Sequence, residues 1–160
     1  MSAPHPAVGA VLEQDHKRID EQFEAFTRSL TEGTPDAATF MAGSAALRHH
    51  IYVEEEHHFP ALRAAGLLGP ILVMLREHGQ IWDLLDALET GLREGAPAGH
   101  LADTWHRLEQ VLAEHNLKEE RILYPAGDQK LSDEVAEKVL ATLSSAVTPA
   151  GWVCEMAGRA

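Results

Sequence analysis

The stretch HIYVEEEHHFP (residues 50–60) returns in outline as HNLKEERILYP (residues 115–125), 65 positions later. Both copies follow the pattern His-x-x-x-Glu-Glu-x-x-x-aromatic-Pro. A second pair, LEQDHKRI (residues 12–19) and MLREHGQI (residues 74–81), shares the pattern apolar-x-x-acidic-His-x-x-Ile at an offset of 62. This repetition indicates one helical hairpin used twice, in which each half supplies a lone histidine and a His-x-x-x-Glu pair.

Helix-breaking residues divide the chain into four long amphipathic segments. The breaks are EGTPD (32–36), AAGLLGP (64–70), REGAPAG (93–99) and YPAGDQ (124–129). Between them, apolar residues recur at alternating steps of three and four, which is typical of a helix with one buried face. On this spacing Ala61 and Ile122 belong to the buried faces of the second and fourth helices. Short connections between such helices favour an all-α, antiparallel up-down-up-down four-helix bundle.

A short additional helix is predicted near the C-terminus, over residues 132–144 (SDEVAEKVLATLS). Ser132 is suited to cap its N-terminus, and acidic residues fill its first turn. From Val147 onward the tail is expected to be irregular, with Trp152 docking it. We therefore expect residues 1–126 to form the bundle and residues 127–160 to pack on the same domain.

The composition narrows the functional classes. The 160 residues are 45% hydrophobic without a run of about 18 apolar residues, which predicts one globular domain outside the membrane. The start of the chain does not resemble a signal peptide, so the cytoplasm is the expected compartment. A net charge of −12 argues against nucleic acid. The single cysteine, Cys154, excludes an internal disulfide and a cysteine metal cage.

The His and Glu spacing predicts a metal site inside the bundle. Residues four apart share one helix face, so a His-x-x-x-Glu pair aims a nitrogen and a carboxylate at one point. Four imidazoles and two carboxylates then converge, which suits two ions bridged by both glutamates and a solvent-derived oxo or hydroxo oxygen. The predicted ligands are His16, His50, Glu54, His78, His115 and Glu119.

The free-energy cost of burying charged side chains favours a bound cation that compensates them. Uncompensated buried ionised groups cost several kcal/mol each, against a total stability of about 5–15 kcal/mol. Mixed imidazole and carboxylate ligation suits Zn, Fe, Mn or Cu. A carboxylate-bridged pair in a four-helix bundle is a known di-iron or di-manganese arrangement. Two non-haem iron ions are therefore the favoured cofactor, with zinc as the alternative.

Several neighbouring residues have competing interpretations. His58 lies one turn beyond Glu54 and is a possible additional ligand or hydrogen-bond partner of one. A solvent-facing role is expected for His49, Glu55 and Glu56, and also for His5, His100 and His106. Met74 is expected to fill the core, and Tyr124 to pack as an aromatic close to the site. Ferritin-like Glu-x-x-His spacing also occurs, at Glu13–His16 and Glu54–His57, but the fourth helix places His before Glu.

At these motifs the sequence resembles the hemerythrin-like family, also called the HHE cation-binding domain. The resemblance covers residues 10–125 and rests on QDHKRI, HIYVEEEHHFP, REHGQI and HNLKEERILYP. It implies an antiparallel four-helix bundle with a non-haem di-iron centre. Members of the family bind oxygen, sense oxygen or redox state, handle nitric oxide or peroxide, or manage iron.

Two departures separate this chain from the oxygen-carrying hemerythrins. The carriers have a second histidine one turn before the position of His78, where this chain has Met74. They also space the acid of the fourth helix one residue further on, at the position of Glu120. The departures favour a redox-active, sensing or iron-handling relative over a reversible carrier.

The expected function is to bind, and to reduce or sense, a small molecule such as oxygen, peroxide or nitric oxide. No nucleophile or acid–base dyad stands out in the sequence, so any catalysis belongs to the metals. The alternative is a non-catalytic bundle that stores or senses iron or holds structural metal. A third reading, a metal-free scaffold, requires buried His and Glu side chains without compensation.

Overall fold

The computed structural model describes residues 4–159, and most of this range is helical. No β-strand occurs in this described range. The predicted limits at residues 1 and 160 lie outside it, as do residues 2 and 3. The helices are α1 (Val8–Thr31), α2 (Ala37–Val53), α3 (Phe59–Ala64), α4 (Leu68–Arg93), α5 (Ala98–Lys118), α6 (Tyr124–Lys130) and α7 (Asp133–Ser145). Two π-helical turns, π1 (Glu54–His58) and π2 (Glu119–Leu123), join α2 to α3 and α5 to α6. The all-helical prediction is confirmed.

The π-helical turns change which residues face the core. A π turn holds an extra residue, so every later side chain is shifted relative to an α-helix. Leu62 and Leu123 are therefore buried, while Ile122 is 50% exposed. The prediction that Ile122 lies on the buried face is therefore wrong, while Ala61 is half-buried. The prediction that the fourth helix ends at YPAGDQ is also wrong, since the helical backbone continues through π2 into α6.

Each π turn is followed by proline at the start of the next helix, at Pro60 and Pro125. Proline inside an α-helix loses a hydrogen bond and clashes with the carbonyl four residues earlier. A widened turn directly before it relieves the clash, because that carbonyl is displaced from the ring. The matching prolines in the two sequence repeats therefore mark matching π turns.

Four long helical stretches pack side by side into a bundle. α1 contacts α2 and α5, and α4 contacts α2 and α5. Two apolar cores occupy opposite ends of this bundle, one around Phe26 and Trp105 and the other around Leu12 and Leu62. In each of the four stretches, the predicted ligands lie between residues of one core and residues of the other. The polar cluster thus forms a buried layer between two apolar ends.

The C-terminal segment covers one side of the bundle. α7 contacts α1, α2 and π1, and the hydroxyl of Ser132 accepts a hydrogen bond from the Val135 amide at 3.2 Å, as the predicted N-cap. The tail is irregular as expected, and Trp152 Nε1 donates to Glu56 Oε1 at 3.0 Å. At Gly79 the tail approaches so closely that a Cβ would lie 2.5 Å from the Met156 carbonyl oxygen.

Candidate metal centre

The structure brings all six predicted ligands into the buried layer of the bundle. α1 supplies one histidine, α4 supplies another, and the two π turns begin at the two glutamates. Each histidine of the His-x-x-x-Glu pairs lies on the α-helical turn before its glutamate. All six side chains are buried, with exposures of 4% or less, namely those of His16, His50, Glu54, His78, His115 and Glu119.

Four of these residues form a first ligand group, Glu54, His78, His115 and Glu119. One ligand atom from each lies within 4.8 Å of the others. His78 Nε2 is 3.2 Å from Glu54 Oε1, and His115 Nε2 is 3.2 Å from Glu119 Oε1. A cation at this position has two imidazoles and two carboxylates available, which suits a transition metal.

A second ligand group consists of His16, His50 and Glu119, again within 4.8 Å of one another. Glu119 Oε1 is 3.3 Å from His16 Nε2, so this carboxylate belongs to both groups. Glu54 also reaches both, because its Oε2 lies 3.5 Å from His50 Nε2 while its Oε1 faces His78. Both glutamates therefore have the placement that a bridging carboxylate requires.

Unpartnered atoms provide a direct test of whether these residues suit a cation. Four buried atoms of the six side chains have no hydrogen bond: His16 Nδ1, Glu54 Oε1, His78 Nε2 and Glu119 Oε2. His78 Nε2 and Glu54 Oε1 are only 3.2 Å apart, yet their orientation is not that of a hydrogen bond. Buried polar atoms are nearly always paired, so the three atoms of Glu54, His78 and Glu119 that converge without pairing fit a metal ion. His16 Nδ1 instead faces Glu120 on the outer side of the site.

Carboxylates behind the imidazoles hold three of the four rings in place. Asp15 Oδ2 accepts from His50 Nδ1 at 2.7 Å, and Glu55 Oε2 accepts from His78 Nδ1 at 2.7 Å. Glu77 Oε1 accepts from His115 Nδ1 at 3.0 Å. Such partners fix the tautomer and orientation of a metal-binding imidazole.

Sequence reasoning assigned none of these three carboxylates this role, although all three belong to the repeated motifs. Asp15 and Glu77 are the acidic residues directly before the lone histidines in the pattern apolar-x-x-acidic-His. Each reaches across the bundle to the histidine of a His-x-x-x-Glu pair rather than to its own neighbour. The fourth histidine, His16, has a more distant carboxylate behind it, since Glu120 Oε2 is 3.8 Å from His16 Nδ1.

Two predictions of solvent-facing residues are wrong. The Glu55 side chain is only 5% exposed, because it turns under His78 and accepts a second bond from the Glu155 amide at 2.9 Å. His49 is buried because α7 and the residues after it cover this face, where His49 contacts Thr148 Oγ1 at 2.9 Å. Glu56 is exposed as predicted.

The remaining candidates lie around the two groups. His58 is fully buried but belongs to neither group, and neither of its ring nitrogens has a hydrogen-bond partner. Burial lowers the pKa of this imidazole, which favours its neutral form. Met74 packs in the apolar core, as predicted. Cys154 is a buried free thiol, and burial raises its pKa to about 12.

Without a bound cation, protons on the histidines offset the negative charge of the buried carboxylates. Burial lowers the pKa of His50, but the Glu54 charge and the Asp15 hydrogen bond outweigh it and raise that pKa to about 10. Burial also lowers the pKa of His78, but the adjacent carboxylates of Glu54 and Glu55 outweigh it and raise that pKa to about 10. For the Glu54 carboxyl, burial raises the pKa, but these imidazoles hold it well below its usual value. A cation would replace these protons, so binding and proton release are coupled.

The surface histidines take no part in the site. His100 and His106 are exposed, and His5 is partly exposed near Asp133.

None of the helices in residues 4–159 has an apolar stretch of the length needed to cross a bilayer.

The fold and the buried His and Glu side chains define a helical bundle with a metal-binding cluster. A family model described as the hemerythrin HHE cation binding domain matches residues 7–127. This match covers most of the chain, and the protein belongs to that family. No curated protein and no solved structure gave a significant match.

Proposed function

We propose that this protein holds two non-haem iron ions with an oxo or hydroxo bridge. The first ligand group binds one ion and the second ligand group binds the other, with Glu54 and Glu119 bridging. The observation that carries this proposal is the sharing of carboxylates: Glu119 belongs to both groups, and the two oxygens of Glu54 face histidines of different groups.

The bundle topology is part of the same proposal. We propose that the four long helical stretches run alternately up and down, as in other four-helix metal proteins. Short connections at residues 32–36, 65–67 and 94–97 support this order. Each hairpin then places its lone histidine beside a His-x-x-x-Glu pair, which the repeated motifs require.

The chemistry proposed is binding of oxygen, peroxide or nitric oxide, followed by its reduction or by a sensing response. Bound irons supply reversible one-electron chemistry and coordination positions for a small ligand. The chain restricts the ligand by size, since apolar cores close the layer on both sides. Asp15, Glu55 and Glu77 hold imidazoles in their binding orientation.

The first test is metal content and visible spectrum of untagged protein, in air and after dithionite. We expect about two irons per chain and an absorption band that dithionite bleaches. Glu54→Gln and Glu119→Gln should each lose iron, because each removes a bridging carboxylate. Glu114→Gln is the matched control, since Glu114 is exposed on α5. Two irons retained in both bridging variants would refute the assignment of the bridges.

Turnover separates an enzyme from a store or sensor. Iron-loaded protein is mixed with excess peroxide, nitric oxide or oxygen in the presence of a reductant. Consumption of many equivalents per iron pair supports a catalytic role, whereas one equivalent bound per pair supports sensing. Zinc, or a single ion per chain, would instead support the structural metal-binding alternative.

A further inference from the structure

The hydroxyl of Tyr124 lies at the centre of the second ligand group. Its oxygen is 3.1 Å from both His16 Nε2 and His50 Nε2. It is also 2.9 Å from Glu54 Oε2 and 3.3 Å from Glu119 Oε1. The side chain is buried and is the first residue of α6, directly after π2. Four candidate ligand atoms thus surround one phenolic oxygen.

The available protons do not satisfy all of these atoms. In the neutral form that binds a metal, His50 donates its Nδ1 proton to Asp15, which leaves a lone pair on Nε2. The oxygens of Glu54 and Glu119 accept only, and the hydroxyl of Tyr124 has a single proton to give. Several lone pairs therefore face one point that a cation can satisfy.

The aromatic residues beside the two groups point to the same role. With Glu54 and Glu119 shared, each group has two imidazoles and two carboxylates. Tyr124 would give the second group a fifth ligand, and tyrosinate is a known iron ligand in proteins. Its counterpart in the first repeat is Phe59, whose ring stacks on His78 with centroids 5.4 Å apart. Of these two matching aromatic residues, only the one beside the second ligand group carries a hydroxyl.

We propose that Tyr124 binds, through its phenolate oxygen, the ferric ion held by His16 and His50. The inference rests on the proposed function, since it requires iron at this position. On ligation the hydroxyl proton leaves to solvent and the oxygen lone pair binds the ion, with no change in electron count. Burial and the charges of Glu119 and Glu54 raise the pKa of Tyr124 in the chain alone, and a trivalent cation opposes that effect.

The chain offers a matched control because it has only two tyrosines. Tyr52 packs against Trp152, with ring centroids 5.2 Å apart, and belongs to neither ligand group. Metal-free wild type, Tyr52→Phe and Tyr124→Phe are loaded anaerobically with ferrous iron and then oxidised with ferricyanide. Iron content, visible absorption and resonance Raman spectra are recorded for each.

We expect a phenolate-to-iron charge-transfer band, with phenolate ring vibrations, in wild type and Tyr52→Phe. Tyr124→Phe should lose the band. If Tyr124→Phe does not fold, ring-deuterated tyrosine in Tyr52→Phe still assigns the vibrations, because only Tyr124 remains. Iron-loaded wild type without the band would overturn the inference and leave the di-iron proposal intact. A band retained in Tyr124→Phe would also overturn it, and absence of bound iron would overturn both proposals.

Discussion

Replacing Asp15 by Asn tests whether the carboxylate behind His50 prepares that imidazole to bind metal. Asp15 is 6% exposed, and its Oδ2 accepts from His50 Nδ1 at 2.7 Å. Asn keeps the shape but loses the negative charge that strengthens this bond. Loss of such a partner typically lowers metal affinity about 10–100-fold. At about 1.4 kcal/mol per tenfold, this corresponds to roughly 1.4–2.8 kcal/mol.

The measurement is a competition titration of the metal-free protein with a coloured chelator at fixed pH. Asp103→Asn is the control, because Asp103 is exposed and the substitution changes the charge equally. Circular dichroism establishes that both variants are folded. An affinity of Asp15→Asn equal to that of Asp103→Asn would refute the role of the outer carboxylate.

Two further changes test packing and charge at other positions. Gly79→Ala forces a Cβ against the Met156 carbonyl, so we expect a loss of about 1–3 kcal/mol in urea unfolding. Gly99→Ala, with open space around it, should cost nothing, and an equal loss there would contradict the tail contact. Burial raises the pKa of Glu77, but His115 and a neighbouring lysine lower it to about 2. Because this pKa is depressed, stabilisation by Glu77 is present above the unfolded value of 4.5 and is lost as pH falls through about 2. In the metal-free chain, the free energy of unfolding of wild type should exceed that of Glu77→Gln, and this difference should shrink as the pH falls over that range. A difference independent of pH would contradict the prediction.

Much of the candidate site follows from the sequence because the candidate ligands interrupt otherwise apolar helix faces. His16 stands between Leu12 and Ile19, which are both buried, so its inward direction follows from helical spacing alone. The same spacing places His78 between Leu75 and Ile81. Since each motif occurs twice, a chance surface arrangement is a poor explanation. The repeat therefore predicts both the four helices and the six converging side chains.

The π turns did not follow from hydrophobic spacing. Ile122 and Leu123 are adjacent and equally apolar, so the pattern cannot show which one faces inward. The informative residues are Pro60 and Pro125, which a straight α-helix does not tolerate at these points. The second helix was predicted to run through Pro60, and the fourth to end around Pro125. Treating both prolines as interruptions of the α-helical hydrogen bonds would have indicated the shift.

The outer carboxylates and His49 were missed for a different reason. A helical wheel describes one helix, whereas Asp15 and Glu55 act on histidines of other helices. His49 is hidden by α7, which comes about 90 residues later in the chain. These assignments depend on how helices pack, and a single helix face does not contain that information.

The repeat matches at the six candidate ligands and differs immediately beside them. Phe59 on the first repeat corresponds to Tyr124 on the second, so one ligand group meets an apolar ring and the other a hydroxyl. Glu55 bonds His78 at 2.7 Å, while the corresponding Glu120 stays 3.8 Å from His16. A duplicated hairpin thus accounts for two candidate ligand groups, but their surroundings differ in charge and hydrogen bonding. Because such surroundings tune a bound ion, the two groups are not chemically equivalent, and the proposed pair of ions would differ in their properties.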